Sequence, residues 1–125
     1  MKKTKKAINF KDSRGFIQDI YIGGDFQHAT YIFMKKGGIR GNHFHKKTVQ
    51  YMFVMEGKLA YYHSKDGKKA AKVVLNPGDF IETPIGECHA VKPLKNTKVL
   101  VLARGPRGGD GYEDDTYRLD HSLLK

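Results

Sequence analysis

Three histidines carry the chemistry open to this chain. His43 and His45 lie in the run Gly41-Asn42-His43-Phe44-His45. Side chains on a strand alternate with period two, so the two imidazoles share a face. His89 ends the segment Gly78-Asp79-Phe80-Ile81-Glu82-Thr83-Pro84-Ile85-Gly86-Glu87-Cys88-His89, just after a Pro-Ile-Gly turn. Three imidazoles converging inside a small β-barrel make either a divalent-metal site or a centre for acid–base catalysis. Cys88 is the only cysteine, so no internal disulfide forms. It reads as a small buried residue facing away from His89, since strand neighbours point to opposite sides.

Short strands must position these groups. Apolar or alternating runs cover 16–22, 29–34, 50–55, 58–63, 71–75, 79–82, 89–92 and 98–103. Turn residues separate them: Gly23-Gly24, Gly37-Gly38, Glu56-Gly57, Lys65-Asp66-Gly67, Asn76-Pro77-Gly78, Pro84-Ile85-Gly86 and Lys95-Asn96. Many short strands at close spacing, with no clean helical periodicity, predict an all-β sandwich or barrel. The 125 residues suit one domain, 1–125, with a core over about 8–104. From 105 the chain turns glycine-rich, and 105–125 reads as a flexible arm and tail. That tail can cover the barrel mouth, pair with a second subunit or stay loose.

Composition narrows the function classes. Hydrophobic residues make up 39% of the chain and charged residues 29%, which fits a globular domain and not a disordered one. No apolar run is long enough to span a bilayer. Met1-Lys2-Lys3-Thr4-Lys5-Lys6 resembles the start of an export signal, but no apolar segment follows it, so a cytoplasmic protein is expected. The formal net charge is +10. Such a surface steers anions toward it. The lysines are dispersed and no nucleic-acid-binding motif is present, so the expected partner is a small anionic ligand and not nucleic acid. Strand 58–63 carries Leu59 and Tyr61 on one face and Ala60 and Tyr62 on the other. Two apolar faces call for a second sheet or a second subunit, and a homodimer is expected.

Two motifs together resemble the cupin superfamily. His43-Phe44-His45, four residues, Gln50, six residues, Gly57 is similar to the first cupin motif, with Gln50 where glutamate is usual. Gly78, five residues, Pro84-Ile85-Gly86, two residues, His89 is similar to the second, with Pro93 where asparagine is usual. The resemblance implies a single conical, jelly-roll-like antiparallel barrel. It makes His43, His45 and His89 metal ligands and Gln50 the fourth. Neutral imidazoles suit zinc, iron, nickel or manganese. The carbonyl oxygen of Gln50 is a weaker, uncharged ligand, so it either lowers metal affinity or serves as a hydrogen-bonding group in a metal-free site.

A narrower set of residues resembles the small cupins of nucleotide-sugar metabolism. Asp12-Ser13-Arg14-Gly15, Tyr31, Arg40-Gly41-Asn42-His43-Phe44-His45 and Gln50 look like dTDP-4-keto-6-deoxyhexose 3,4-ketoisomerases. The Arg40–His45 run and Asp115-Thr116-Tyr117 resemble the C-terminal cupin domain of capsular-polysaccharide reductases. The first group uses its histidine pair as acid and base without a metal; the second binds zinc. Isomerising a keto-sugar requires a base with a pKa near operating pH, a part His43 and His45 suit. Tyr31 would help to stabilise the enolate. Arg40 would clamp a diphosphate through paired hydrogen bonds, or else pair with Glu82 or Glu87. The expected function is an isomerase or epimerase of a nucleotide-activated sugar in surface-polysaccharide or deoxysugar biosynthesis. The alternatives are a metal-dependent cupin of another class, a dioxygenase or phosphosugar isomerase, and a non-catalytic sugar-binding module.

Overall fold

Inward and outward side chains alternate along nearly every strand, and this alternation folds the chain into two facing sheets. A computed structural model describes residues 1–21, 24–106 and 114–124. The described strands are β1 (Lys2–Lys5), β2 (Phe10–Asp12), β3 (Gly15–Ile17), β4 (His28–Met34), β5 (Arg40–Phe44), β6 (Val49–Glu56), β7 (Leu59–Ser64), β8 (Ala71–Leu75), β9 (Asp79–Thr83), β10 (Cys88–Pro93), β11 (Thr97–Arg104) and β12 (Tyr117–Arg118). One antiparallel sheet runs β1-β9-β6-β11-β4 and the other β12-β5-β10-β7-β8, with β2-β3 as a separate hairpin. Every pairing is antiparallel, and the architecture is the expected all-β jelly roll.

The inner faces meet around Val54, Leu59, Tyr61, Leu75, Ile81 and Val99, all fully buried, and Met34, Val91 and Val101 extend the cluster. Each such side chain contributes roughly 1.5–3 kcal/mol on burial. Met34, Tyr61, Val91 and Val101 of this layer also line the cavity that His43 and His89 enter.

Both chain ends depart from the expected core of 8–104. Lys2–Lys5 pairs with β9, Lys2 opposite Glu82 and Lys5 opposite Asp79. The ammonium groups of Lys3 and Lys5 each lie 3.6 Å from the buried Asp79 carboxylate. An edge strand needs no apolar face, and so its lysines gave no strand signal. At the other end, 114–124 docks on the second sheet through β12, which pairs with β5. The glycine-rich arm falls mostly on 107–113, outside the described residues.

Docking of the tail also changes the reading of strand 58–63. Leu59 and Tyr61 face the core. Tyr62, on the opposite face, packs with Cys88, Ala90, Phe44, Leu119, Leu123 and Leu124. The chain's own C-terminal segment covers this second apolar face, so it gives no argument for a dimer. Cys88 points away from His89 as expected and is buried beneath the tail. Burial pushes its thiol pKa up, and the nearby Asp66 and Glu87 carboxylates add to the effect.

Candidate active site

A bulge sets the aim of the two leading histidines. His89 pairs with His43 and Ala90 with Gly41, which leaves Asn42 as an extra residue on β5. Gly41 and Asn42 both have positive φ, 95° and 57°. A Cβ on Gly41 would meet the His89 carbonyl oxygen at 2.8 Å and Ala90 Cα at 2.9 Å, so only glycine fits. Such a bulge bends the strand and re-aims the side chains that follow it. Beyond it Phe44 turns outward to stack on Tyr117, with ring centroids 5.5 Å apart, while His43 and His45 turn inward.

The three histidines converge. Their candidate ligand nitrogens all lie within 4.8 Å of one another. Ring centroids are 4.9 Å apart for His43–His45, 4.7 Å for His43–His89 and 5.2 Å for His45–His89. All three are more than 90% buried.

Backbone carbonyls orient two of the rings. His45 Nδ1 lies 2.8 Å from the Asp115 carbonyl oxygen, and His89 Nδ1 lies 3.2 Å from that of Glu87. A carbonyl only accepts, so each Nδ1 carries a proton, which leaves Nε2 as the ring nitrogen that can bind a metal or exchange a proton. Metal-binding histidines are held in the same manner, so the donor set fits a divalent transition metal. It equally fits a pair of general bases.

The cavity around them measures about 380 Å³, within the ordinary range for small-molecule sites. His43 and His89 form part of its wall. Gln50 on β6 and Arg40 at the start of β5 also line it, so the structure gathers these residues as the sequence implied. Arg40 has no carboxylate partner among the described residues. The carboxylate of Glu87 pairs with the Met1 amino group at 2.5 Å, which settles one of the alternatives raised for Arg40.

Tyr31 is the exception. On β4, Thr30, Ile32 and Met34 face the cavity, and period-two alternation turns Tyr31 outward, where it is 58% exposed. The structure thus removes Tyr31 from the catalytic set expected from sequence.

Among the cavity residues not expected from sequence, three carry polar groups at its wall or rim: Tyr61, Thr83 and Arg118. Tyr61 and Thr83 reach it from β7 and β9, and their hydroxyl oxygens are 2.6 Å apart. Burial holds the Tyr61 hydroxyl far above its ordinary pKa, against the opposing effect of the Thr83 hydrogen bond, so it remains a proton donor. The Tyr61 ring lies parallel to that of His89 at 6.3 Å. The alternation Leu59, Tyr61 in strand 58–63 was the available signal. The third residue is Arg118, which arrives from the tail opposite His43. No local pattern announces it. His63 pairs with His89 across β7–β10 but stands outside the three-nitrogen cluster.

Comparison with known proteins gives three kinds of result. The family model described as Cupin domain matches residues 30–103. No curated protein is similar enough in sequence to match. Among solved structures, a 3,4-ketoisomerase from Helicobacter canadensis aligns with TM-score 0.80 at 22% identity, covering 94% of this chain and 90% of that one. QdtA, a sugar 3,4-ketoisomerase from Thermoanaerobacterium thermosaccharolyticum in complex with TDP, aligns with TM-score 0.79 at 21% identity, covering 95% and 88%. The capsular polysaccharide assembling protein CapF from Staphylococcus aureus aligns with TM-score 0.67 at 18% identity, covering 93% of this chain and 34% of that one. At these identities the likeness is one of fold.

Proposed function

The chain belongs to the cupin domain family, and from that premise we propose that it isomerises or epimerises a nucleotide-activated keto-sugar. One observation carries the proposal: three buried histidines have mutually close nitrogens, and two of them, His43 and His89, line a cavity of about 380 Å³ that has Arg40 in its wall. The structural neighbours add to it, since QdtA is a sugar 3,4-ketoisomerase in complex with TDP.

The chemistry is proton transfer beside a carbonyl. A base takes the proton from the adjacent carbon and leaves an enolate. Reprotonation of that carbon on its other face inverts it. Reprotonation at the former carbonyl carbon, with the neighbouring hydroxyl giving up its proton, moves the keto group by one carbon. His43 and His45 suit the acid and base roles, because an imidazole exchanges protons near neutral pH. The enolate oxygen needs a donor. With Tyr31 facing outward, the Tyr61–Thr83 hydroxyl pair takes that part. Arg40 holds the diphosphate by charge-assisted hydrogen bonds. His43, His45 and His89, with Gln50 as a weak fourth ligand, would hold a zinc, iron, nickel or manganese ion, which would supply Lewis-acid stabilisation of the enolate when bound.

The reading includes a homodimer formed through the outer face of the first sheet, where Tyr31 and Phe33 are exposed. It also includes a role in surface-polysaccharide or deoxysugar biosynthesis in a reducing compartment, which a single unpaired cysteine suits. Incubation with TDP-4-keto-6-deoxyglucose, followed by proton NMR, tests the activity. A new keto-sugar spectrum is expected with the wild type and its loss with His43→Asn. A wild type that neither converts nor binds nucleotide keto-sugars, while folded, overturns the reading.

A further inference from the structure

Arg118 stands directly opposite His43 on the β12–β5 ladder and lines the same cavity as Arg40. Residues facing each other across an antiparallel pair place their side chains on the same side of the sheet. Arg40 lies on the neighbouring strand, just before the Gly41–Asn42 bulge. Arg40 comes three residues before His43 on β5, and because both arginines line the same cavity their side chains can converge on one ligand. Arg40 and Arg118 are both solvent-exposed, whereas His43 and His89 are buried, so the arginines form the rim and the histidines the floor.

The segment that brings Arg118 is firmly held. The Asp115 carboxylate accepts the backbone N–H groups of Lys46 and Lys47 at 2.9 and 2.8 Å. The Leu119 N–H donates to the Asn42 carbonyl and the Leu123 N–H to the Asn42 side-chain oxygen, each at 2.8 Å. The Lys46 ammonium group sits over the Tyr117 ring at 4.2 Å. Asn42, the bulge residue, is therefore also an anchor for the tail. One backbone irregularity aims the histidines and fixes the strand that carries Arg118.

We infer that Arg118 and Arg40 form a two-armed anion clamp over the histidine cavity, that the clamp takes the diphosphate of a nucleotide sugar, and that the C-terminal segment is accordingly part of the binding site. The inference rests on the proposed function for its ligand but on the rim geometry for its existence. Two planar guanidinium groups match the several oxygens of a diphosphate better than one does. The +10 charge of the chain favours the encounter.

The test is calorimetric binding of inorganic pyrophosphate and of TDP to the full chain and to Arg118→Ala and Arg118→Lys. The expected result is binding by the wild type and a loss of roughly 10- to 100-fold in Arg118→Ala, the range of a charge-assisted pair. Arg118→Lys falls between them. Cys88 reports on the tail, which covers it. Its thiol must stay as protected from a thiol reagent in Arg118→Ala as in the wild type. Unchanged affinity in Arg118→Ala overturns the clamp. So does a loss accompanied by exposure of Cys88, which would make Arg118 a fastening for the tail and not a contact for the ligand. A wild type that binds neither pyrophosphate nor TDP also overturns it. Arg118-dependent pyrophosphate binding without any handling of keto-sugars leaves the clamp standing and removes the sugar reading.

Discussion

The two sheets present apolar residues on their outer faces and cover them differently. Outside the second sheet, Phe44, Tyr62, Cys88 and Ala90 lie beneath Leu119, Leu123 and Leu124 of the tail. Outside the first, Tyr51, Phe53, Phe80 and Leu102 are covered by Ile20 and Tyr21. The Tyr21 ring sits 5.1 Å from Tyr51 and 6.3 Å from Phe80. That cover stops short of β4, where Tyr31 and Phe33 remain 58% and 45% exposed. The sheet that carries His43 and His89, with His45 just past its strand β5, is thus closed by its own chain, while the sheet facing them keeps an open apolar edge. Closure and the candidate site go together here: the segment that seals the second sheet also orients His45 through the Asp115 carbonyl and brings Arg118 to the cavity. At that edge β4 turns Thr30, Ile32 and Met34 into the cavity and Tyr31 and Phe33 away from it, and the proposed dimer uses this outer face.

Substitutions on the two faces should separate these roles. Leu123→Asp places an unpaired charge beneath the tail and is expected to cost about 3 kcal/mol in urea unfolding. A loss below about 1 kcal/mol would mean that the tail is not packed in solution. A smaller effect is expected at Tyr51, where the cover over the first sheet is complete. Burial pushes its hydroxyl up to about 12, with the Arg104 charge opposing. The folded protein then holds a proton that the unfolded chain releases near the ordinary value of 10.0. The stabilisation is full below pH 10 and is lost as pH rises toward 12. Tyr51→Phe should flatten the fall in urea midpoint between pH 9.5 and 11, and an unchanged slope would contradict the burial described. The smallest effect on stability is expected for Phe33→Asp, within about 0.5 kcal/mol. Its consequence is assembly: sedimentation should show the wild-type dimer and a monomeric variant, and a variant that dimerises equally well would move the interface elsewhere.

What was legible in the sequence was local. His43 and His45 share a face through strand alternation, Cys88 opposes His89 for the same reason, and the turn residues marked most of the strand ends. Strand β5 itself has few apolar residues and was placed only through its histidines. Tyr31 was misassigned because its strand is apolar on both faces, and periodicity alone does not say which face is inner. The tail was the larger gap. Its contacts join residues about seventy positions apart, as in the 70-residue separation of His45 and Asp115. They run through backbone groups and an Asn42 of unusual φ, which carry no compositional signal. Arg118 and the cover over Tyr62 became visible only with the tail in place.

The central claim is that the histidine floor moves a proton on the carbon beside a sugar carbonyl. Incubation with TDP-4-keto-6-deoxyglucose in deuterium oxide tests it most directly, with the sugar read by mass spectrometry and NMR. The account predicts one deuterium entering at or next to the carbonyl carbon with the wild type, and none above background with His43→Asn or His45→Ala. A folded wild type that binds the sugar nucleotide and leaves every carbon-bound hydrogen in place would contradict it.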